Sequence, residues 1–223
     1  MPVGILASRG DKIRFMVSHI YGSMMSMRFE TRVGAAVIKK DPKLLRQEVT
    51  RVLGPLVAPV AGRRPKMGFR ELLYFRLIAS LQNEGVQIRT QDRSELYEVL
   101  GARKRHVGQW SRAGQKLQRA GEVPLTLDLG GIIAGLRDAL RHYYQGAAQV
   151  ECRQDICSGQ PVFKGTRIPV AQVVGLFRKG VPMIEIAEDY PGIGIKGLQY
   201  AEIRARMGNA PGRPVKDLEL RYR

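Results

Sequence analysis

Glycine and proline cut this chain into short stretches of helical apolar spacing, and that punctuation most constrains its fold. Asp41 stands before Pro42 and a stripe of Leu44, Leu45, Val49, Val52 and Leu53. Aspartate accepts bonds from the free amides of a first turn, proline fits that turn, and Gly54-Pro55 stops the helix. A second helix is predicted over 69–84, with Phe69, Leu72, Leu73, Leu77, Ile78 and Leu81 as its core face and Gly85 as its stop. A third spans about 93–100, where Asp92 and Glu95 have capping-box spacing and Gly101 ends the run. Residues 131–144 give another, with Ile132, Ile133, Leu136, Leu140 and Tyr143 apolar and Gly146 closing it.

The remaining segments lack a helical period. Residues 1–40 read as an irregular, Met-rich arm, and Pro55 to Lys66 as a basic linker. Residues 107–110 and 123–127 read as two short strands around the Gly114 and Gly121 turns. Helix, helix, hairpin is the order of a winged helix-turn-helix. The expected organisation is therefore mainly α. An arm over 1–40 leads to a helical, winged helix-turn-helix-like domain over 41–146. A C-terminal domain of three helices occupies 150–206, and a basic tail 207–223.

Charge narrows the partner. The 223 residues hold 37 basic and 20 acidic side chains, net +17, with a pI of about 10.4. Residues 1–65 carry +8, 66–149 carry +5, 150–205 carry +1 and 206–223 carry +3. Such a balance points to a polyanion, and nucleic-acid affinity scales with phosphate contacts from Lys and Arg. The best basic patch is Arg89, Arg93, Arg103, Lys104 and Arg105, with Arg112 near the tip of the expected wing. No apolar run suits a membrane helix or a signal peptide. Two cysteines make no disulfide framework, so the cytoplasm is the expected compartment. Cys152 and Cys157 lack a second matched pair for zinc, and Cys157 is expected as a small core residue. His19, His106 and His142 are scattered, with no nucleophile elbow or phosphate loop. Catalysis, metal and cofactor are therefore not expected. Trp110 is expected in the core or at an interface.

The most specific text begins at Val150. Gly159-Gln160-Pro161 leads into Gly165-Thr166-Arg167-Ile168-Pro169-Val170; Gly180-Val181-Pro182 and Asp189-Tyr190-Pro191 follow. Val170, Val173, Val174 and Phe177 give a first helix its core face, and Pro182 opens a short second helix. Leu198, Ala201 and Ala205 share a face of a third. Over about 150–205 this resembles the domain of unknown function family DUF433. The resemblance implies a homeodomain-like helix-turn-helix. It also implies a VapB-class antitoxin that covers a PIN-like ribonuclease toxin and binds its own operator DNA, as a homodimer. Larger members carry a MerR-like N-terminal helix-turn-helix, which residues 69–100 loosely resemble. On that reading Lys196, Gln199, Tyr200 and Arg204 face the DNA groove. Arg167 meets a phosphate or a toxin carboxylate, or else holds turn carbonyls beside Thr166. The tail residues Arg213, Lys216, Arg221 and Arg223 are the toxin-binding candidates. Gly197 inside the third helix is expected to weaken it by about 1 kcal/mol relative to alanine, and Glu202 stands where an apolar residue is usual. The other reading of the same charges is a stand-alone transcriptional regulator or an RNA-binding protein with no toxin.

Overall fold

The structure is a computed structural model that describes residues 28–54, 56, 66–101, 105–122 and 124–207. It is mainly helical with small antiparallel sheets, and it forms two compact units. Among described residues, no helix is long and apolar enough to cross a membrane.

Among the described residues, unit 1 holds 28–31 together with those of Gln47–Leu129. Strand β1 (Phe29–Glu30) precedes helix α1 (Thr31–Ile38) and helix α2 (Pro42–Glu48), which continues as a π-helical turn over Val49–Leu53. β1 pairs antiparallel with β2 (Lys66–Met67), setting Phe29 opposite Met67. Helix α3 (Phe69–Asn83) is buried almost all round, and Gly85 beyond it takes φ +75°, the left-handed geometry glycine adopts freely. Helix α4 (Thr90–Val99) starts earlier than the sequence suggests, with Arg89 at the N-cap position. Asp92 is no cap: its Oδ2 accepts from Arg119 Nη2 at 2.8 Å.

Where two strands are expected, four form a meander: β3 (His106–Val107), β4 (Trp110–Ala113), β5 (Lys116–Arg119) and β6 (Leu125–Asp128). β5 reads Lys-Leu-Gln-Arg, one apolar residue among polar ones, so its alternation is too sparse to see in sequence. Register pairs Trp110 with Arg119 and Arg112 with Leu117 on the covered face, where Trp110 and Leu117 are fully buried. The other face carries a row across all four strands: His106, Ser111, Gln118 and Thr126.

Two carboxylates tie unit 1 together. Glu71, buried, accepts from Gly68 N at 2.6 Å and Tyr97 Oη at 2.5 Å, and pairs with Arg28 at 3.4 Å. Glu48 accepts from Tyr74 Oη at 2.7 Å and pairs with Arg93 at 3.2 Å. The Tyr74 and Tyr97 rings meet edge to face at 5.7 Å. Burial, then the hydrogen bond to the carboxylate, pushes both phenols above their ordinary range.

Among the described residues, unit 2 holds Arg32–Arg46 and 130–207. The expected boundary near 146–150 therefore lies at Leu129–Gly130. Helix α5 (Gly130–Ala147) packs on the last helix, so it goes with the segment after it and not with Gln47–Leu129. Gly146 does not end α5 but sits inside it, buried. A Cβ there would lie 2.3 Å from Tyr200 Cβ and 2.4 Å from Lys196 O, so glycine is what lets the helices approach. The expected irregular arm is also corrected in part: residues 31–38 form α1, with Val33, Ala35, Ala36, Val37 and Ile38 buried. Eight residues make barely two turns, too short a stretch for its period to stand out in the sequence. Asp41 caps α2 as expected, its Oδ1 accepting from Lys43 N at 2.7 Å.

Strands β7 (Val150–Cys152) and β8 (Pro161–Phe163) pair antiparallel, and three helices follow: α6 (Val170–Arg178), α7 (Met183–Asp189) and α8 (Ile195–Arg206). Val150, Phe163, Val170, Val173, Val174, Ile186, Ile193, Leu198 and Ala201 form the core. Gly197 has a packing reason: a Cβ there would meet Phe163 and Ile193 at 3.0 Å. Ile203 is buried and Glu202 lies at the surface edge, so α8 buries a wider face than Leu198, Ala201 and Ala205 define.

Candidate nucleic-acid interface

In unit 1 the arginines divide by whether a carboxylate or carbonyl holds them. Arg93 is taken: it pairs with Glu48 and donates Nε to Ile88 O at 3.0 Å. Arg112 is taken too, donating to Leu100 O at 2.9 Å and Gly114 O at 3.0 Å, and burial lowers its pKa. Both are expected phosphate contacts from the sequence; in this structure their guanidinium groups brace α4 and the hairpin. Arg89 and Arg105 are exposed, and neither side chain makes a hydrogen bond or ion pair among the described residues. Arg103 and Lys104, between Gly101 and Arg105, lie outside the described residues.

Helix α4 holds three acids and one base, an unpromising balance for a helix in a DNA groove. Pairing changes that. Asp92 is spent on Arg119, Glu95 lies against the Gly108-Gln109 backbone with Oε2 3.4 Å from Gln109 N, and Glu98 is also engaged. What reaches solvent at the start of α4 is Arg89, Thr90 and Gln91. Exposed Lys116 and Gln118 follow the β4–β5 turn at Gly114 and Gln115. Sequence reading missed Gln91, because it starts α4 only at about 93, and Lys116 and Gln118, because only the strand register shows which hairpin residues face outward.

In unit 2 the expected groove-facing set lies along one side of α8 but is not uniformly open to solvent. Lys196 is exposed and Gln199 half-buried. Tyr200 is buried, its ring 5.4 Å from Tyr143 on α5, and Arg204 stacks over it at 5.8 Å. Tyr200 therefore belongs to the packing of α8 on α5, a contact no sequence reading of 150–206 alone includes. The preceding helix α7 exposes Glu185, Glu188 and Asp189. In a helix-turn-helix the first helix crosses the phosphate backbone, and three carboxylates there repel it.

The turn before α6 is held by Thr166, whose hydroxyl donates to Phe163 O at 2.8 Å and accepts from Ile168 N at 3.1 Å. Arg167 is not the brace. Its guanidinium is exposed and makes no hydrogen bond or ion pair among the described residues. Cys157 is exposed rather than buried, and its thiol contacts Arg167 O at 3.4 Å. Cys157, Ser158 and Gly159 all take positive φ, which turns the thiol outward. No three His, Cys, Asp or Glu residues are grouped to hold a metal ion among the described residues. Arg213, Lys216, Arg221 and Arg223 lie outside the described residues.

A family model described as protein of unknown function (DUF433) matches residues 150–201. The match covers β7, β8, α6, α7 and part of α8, and it leaves out α5. No curated protein and no solved structure matches the chain.

Proposed function

We propose that this chain is a DNA-binding regulator of the antitoxin kind, gripping nucleic acid with unit 1. The observation that carries this is the internal neutralisation of the α4 acids, which leaves Arg89, Thr90 and Gln91 free at the start of the helix. α3, α4 and the β4–β5 hairpin then act as a winged helix-turn-helix, with Lys116 and Arg105 on phosphates and Gln91 at base edges. The helix-turn-helix of α7 and α8 serves protein contact instead, because α7 is acidic and Tyr200 is buried. The antitoxin reading rests on the resemblance at 150–201. It assigns the exposed Arg167 and the basic tail to the acidic site of a PIN-like ribonuclease toxin.

The test is titration of the full chain with its own upstream duplex and with random duplex across a salt series. Preference for the upstream duplex is expected. Reversing Arg89 and Lys116 to glutamate should weaken binding at least about tenfold and reduce the salt slope by roughly one for each phosphate no longer neutralised. Reversing Lys196 and Arg204 should change it little. The opposite ranking would move the interface to unit 2. Equal affinity for both duplexes, or preference for RNA, would overturn the operator reading.

A further inference from the structure

Helix α7 has two unlike sides. Ile186 is fully buried in the core of unit 2, and Met183, Ala187 and Tyr190 are half-buried against that core. The other side carries Ile184, Glu185, Glu188 and Asp189, all exposed. Residues four apart on a helix are neighbours, so Ile184 with Glu188 and Glu185 with Asp189 make two adjoining rows. Ile184 is 69% exposed, the most open of the large apolar side chains among the described residues. The three carboxylates make no ion pair or hydrogen bond among the described residues. A single exposed isoleucine is ordinary on a protein surface. One set among three unpaired carboxylates fits a segment that is apolar and basic together.

The chain itself supplies such a segment. It leaves α8 at Met207, and Ala205 and Arg206 line the same cleft as Pro182 and Met183 at the start of α7. Residues 208–223 lie outside the described residues. Their sequence begins with the uncharged run Gly-Asn-Ala-Pro-Gly and continues Arg213-Pro214-Val215-Lys216. Asp217 and Glu219 come only after it. The uncharged run spans at most roughly 17 Å, and four extended residues cover roughly 13 Å. The seven-residue helix α7 is about 10 Å long. The run is therefore long enough to bring 213–216 from the end of α8 onto α7, and 213–216 is long enough to cover both rows.

We propose that residues 213–216 dock on the free face of α7 of their own chain, with Val215 against Ile184. Arg213 and Lys216 then face Glu185, Glu188 and Asp189. Pro214 fixes its own φ and biases Arg213 towards extended backbone, so less conformational entropy is lost on docking. Exposed ion pairs are individually weak and screened by salt. The tether makes the contact intramolecular, so weak contacts suffice. This goes beyond the nucleic-acid reading and does not depend on it. Where a toxin's acidic site also takes the tail, α7 competes with it for the same cations.

The experiment is zero-length carbodiimide crosslinking of the full chain, as an equal mixture of unlabelled and heavy-nitrogen-labelled protein, read by mass spectrometry. Lys216 is expected to link to Glu185, Glu188 or Asp189, with both halves of each linked peptide carrying the same isotope. The yield should fall with rising salt, and by about tenfold in Ile184→Asp, which corresponds to roughly 1.4 kcal/mol. Amide hydrogen exchange gives a second measurement that does not need that variant. Exchange at Val215 and Lys216 should be slowed in the full chain and fast in Glu185→Lys/Glu188→Lys. It should slow again when Arg213→Glu and Lys216→Glu are added to that variant. Circular dichroism checks that the variants are folded. No link from Lys216 to α7, links of mixed isotope, or exchange that stays fast in the charge-swapped chain would each overturn the proposal. Failure of DNA binding would leave these outcomes unaffected.

Discussion

Glycines that look alike in sequence do different work once their neighbours are in place. Gly135 and Gly146 both lie inside α5. A Cβ at Gly135 meets nothing within 4 Å, whereas at Gly146 it would run into the Tyr200 side chain and the Lys196 carbonyl. Replacing an exposed helix glycine by alanine stabilises by roughly 0.5–1 kcal/mol, through propensity and the narrower unfolded ensemble. Overpacking a tight helix crossing costs about 1–3 kcal/mol, which exceeds that gain. Gly135→Ala is thus expected to raise the urea midpoint and Gly146→Ala to lower it. Equal and positive shifts would mean that α5 and α8 do not cross at Gly146. The arginines behave in the same way. Arg89 and Arg93 sit one turn apart at the start of α4, yet only Arg93 has Glu48 within reach.

At the scale of elements, unit 1 is laced by two phenol–carboxylate pairs, Tyr74 with Glu48 and Tyr97 with Glu71. They link the π-helical end of α2 to α3, and α4 to the start of α3. Each phenol is held above its ordinary range, first by burial and then by the carboxylate it donates to. In the unfolded chain both ionise near pH ~10. Above that pH the unfolded chain binds up to two fewer protons than the folded one, so stability falls as pH rises. Below it the contribution is fully present. Denaturant unfolding from neutral to strongly alkaline pH should show this decline. A Tyr74→Phe/Tyr97→Phe double variant, though less stable throughout, should show a shallower one by up to two protons. An unchanged slope would mean that these phenols titrate normally in the folded state.

For the whole molecule, the net charge and its placement part company. Unit 1 holds eleven basic and nine acidic side chains among its described residues, and unit 2 holds fifteen and eight. The remaining excess lies in 1–27, 57–65, 102–104 and 208–223. The affinity proposed for unit 1 therefore rests on a few exposed cations and not on its bulk charge. Arg103 and Lys104 fall in the connection between α4 and β3, beside exposed Arg105. Replacing both with alanine is expected to lower the slope of log affinity against log salt by about 2. No change in slope would remove that connection from the interface.

The sequence by itself determined the local structure wherever one short-range cause dominated. Asp41 and Pro42 opened a helix, Gly85 and Gly180 closed two others with positive φ, and the segment from Val150 kept its order of turn and three helices. It also pointed to the basic balance and to Trp110 in the core. Only the tertiary structure decided which polar groups were spent. The burial of α1, the pairing of Asp92 with Arg119 and of Arg93 with Glu48, and the withdrawal of Tyr200 onto α5 depend on contacts between residues far apart in the chain. A helical period records which side of a helix is apolar, but not how many neighbours cover it. α8 has three, α5, α6 and α7, and this decides that its middle packs inward while α7 keeps a free acidic face.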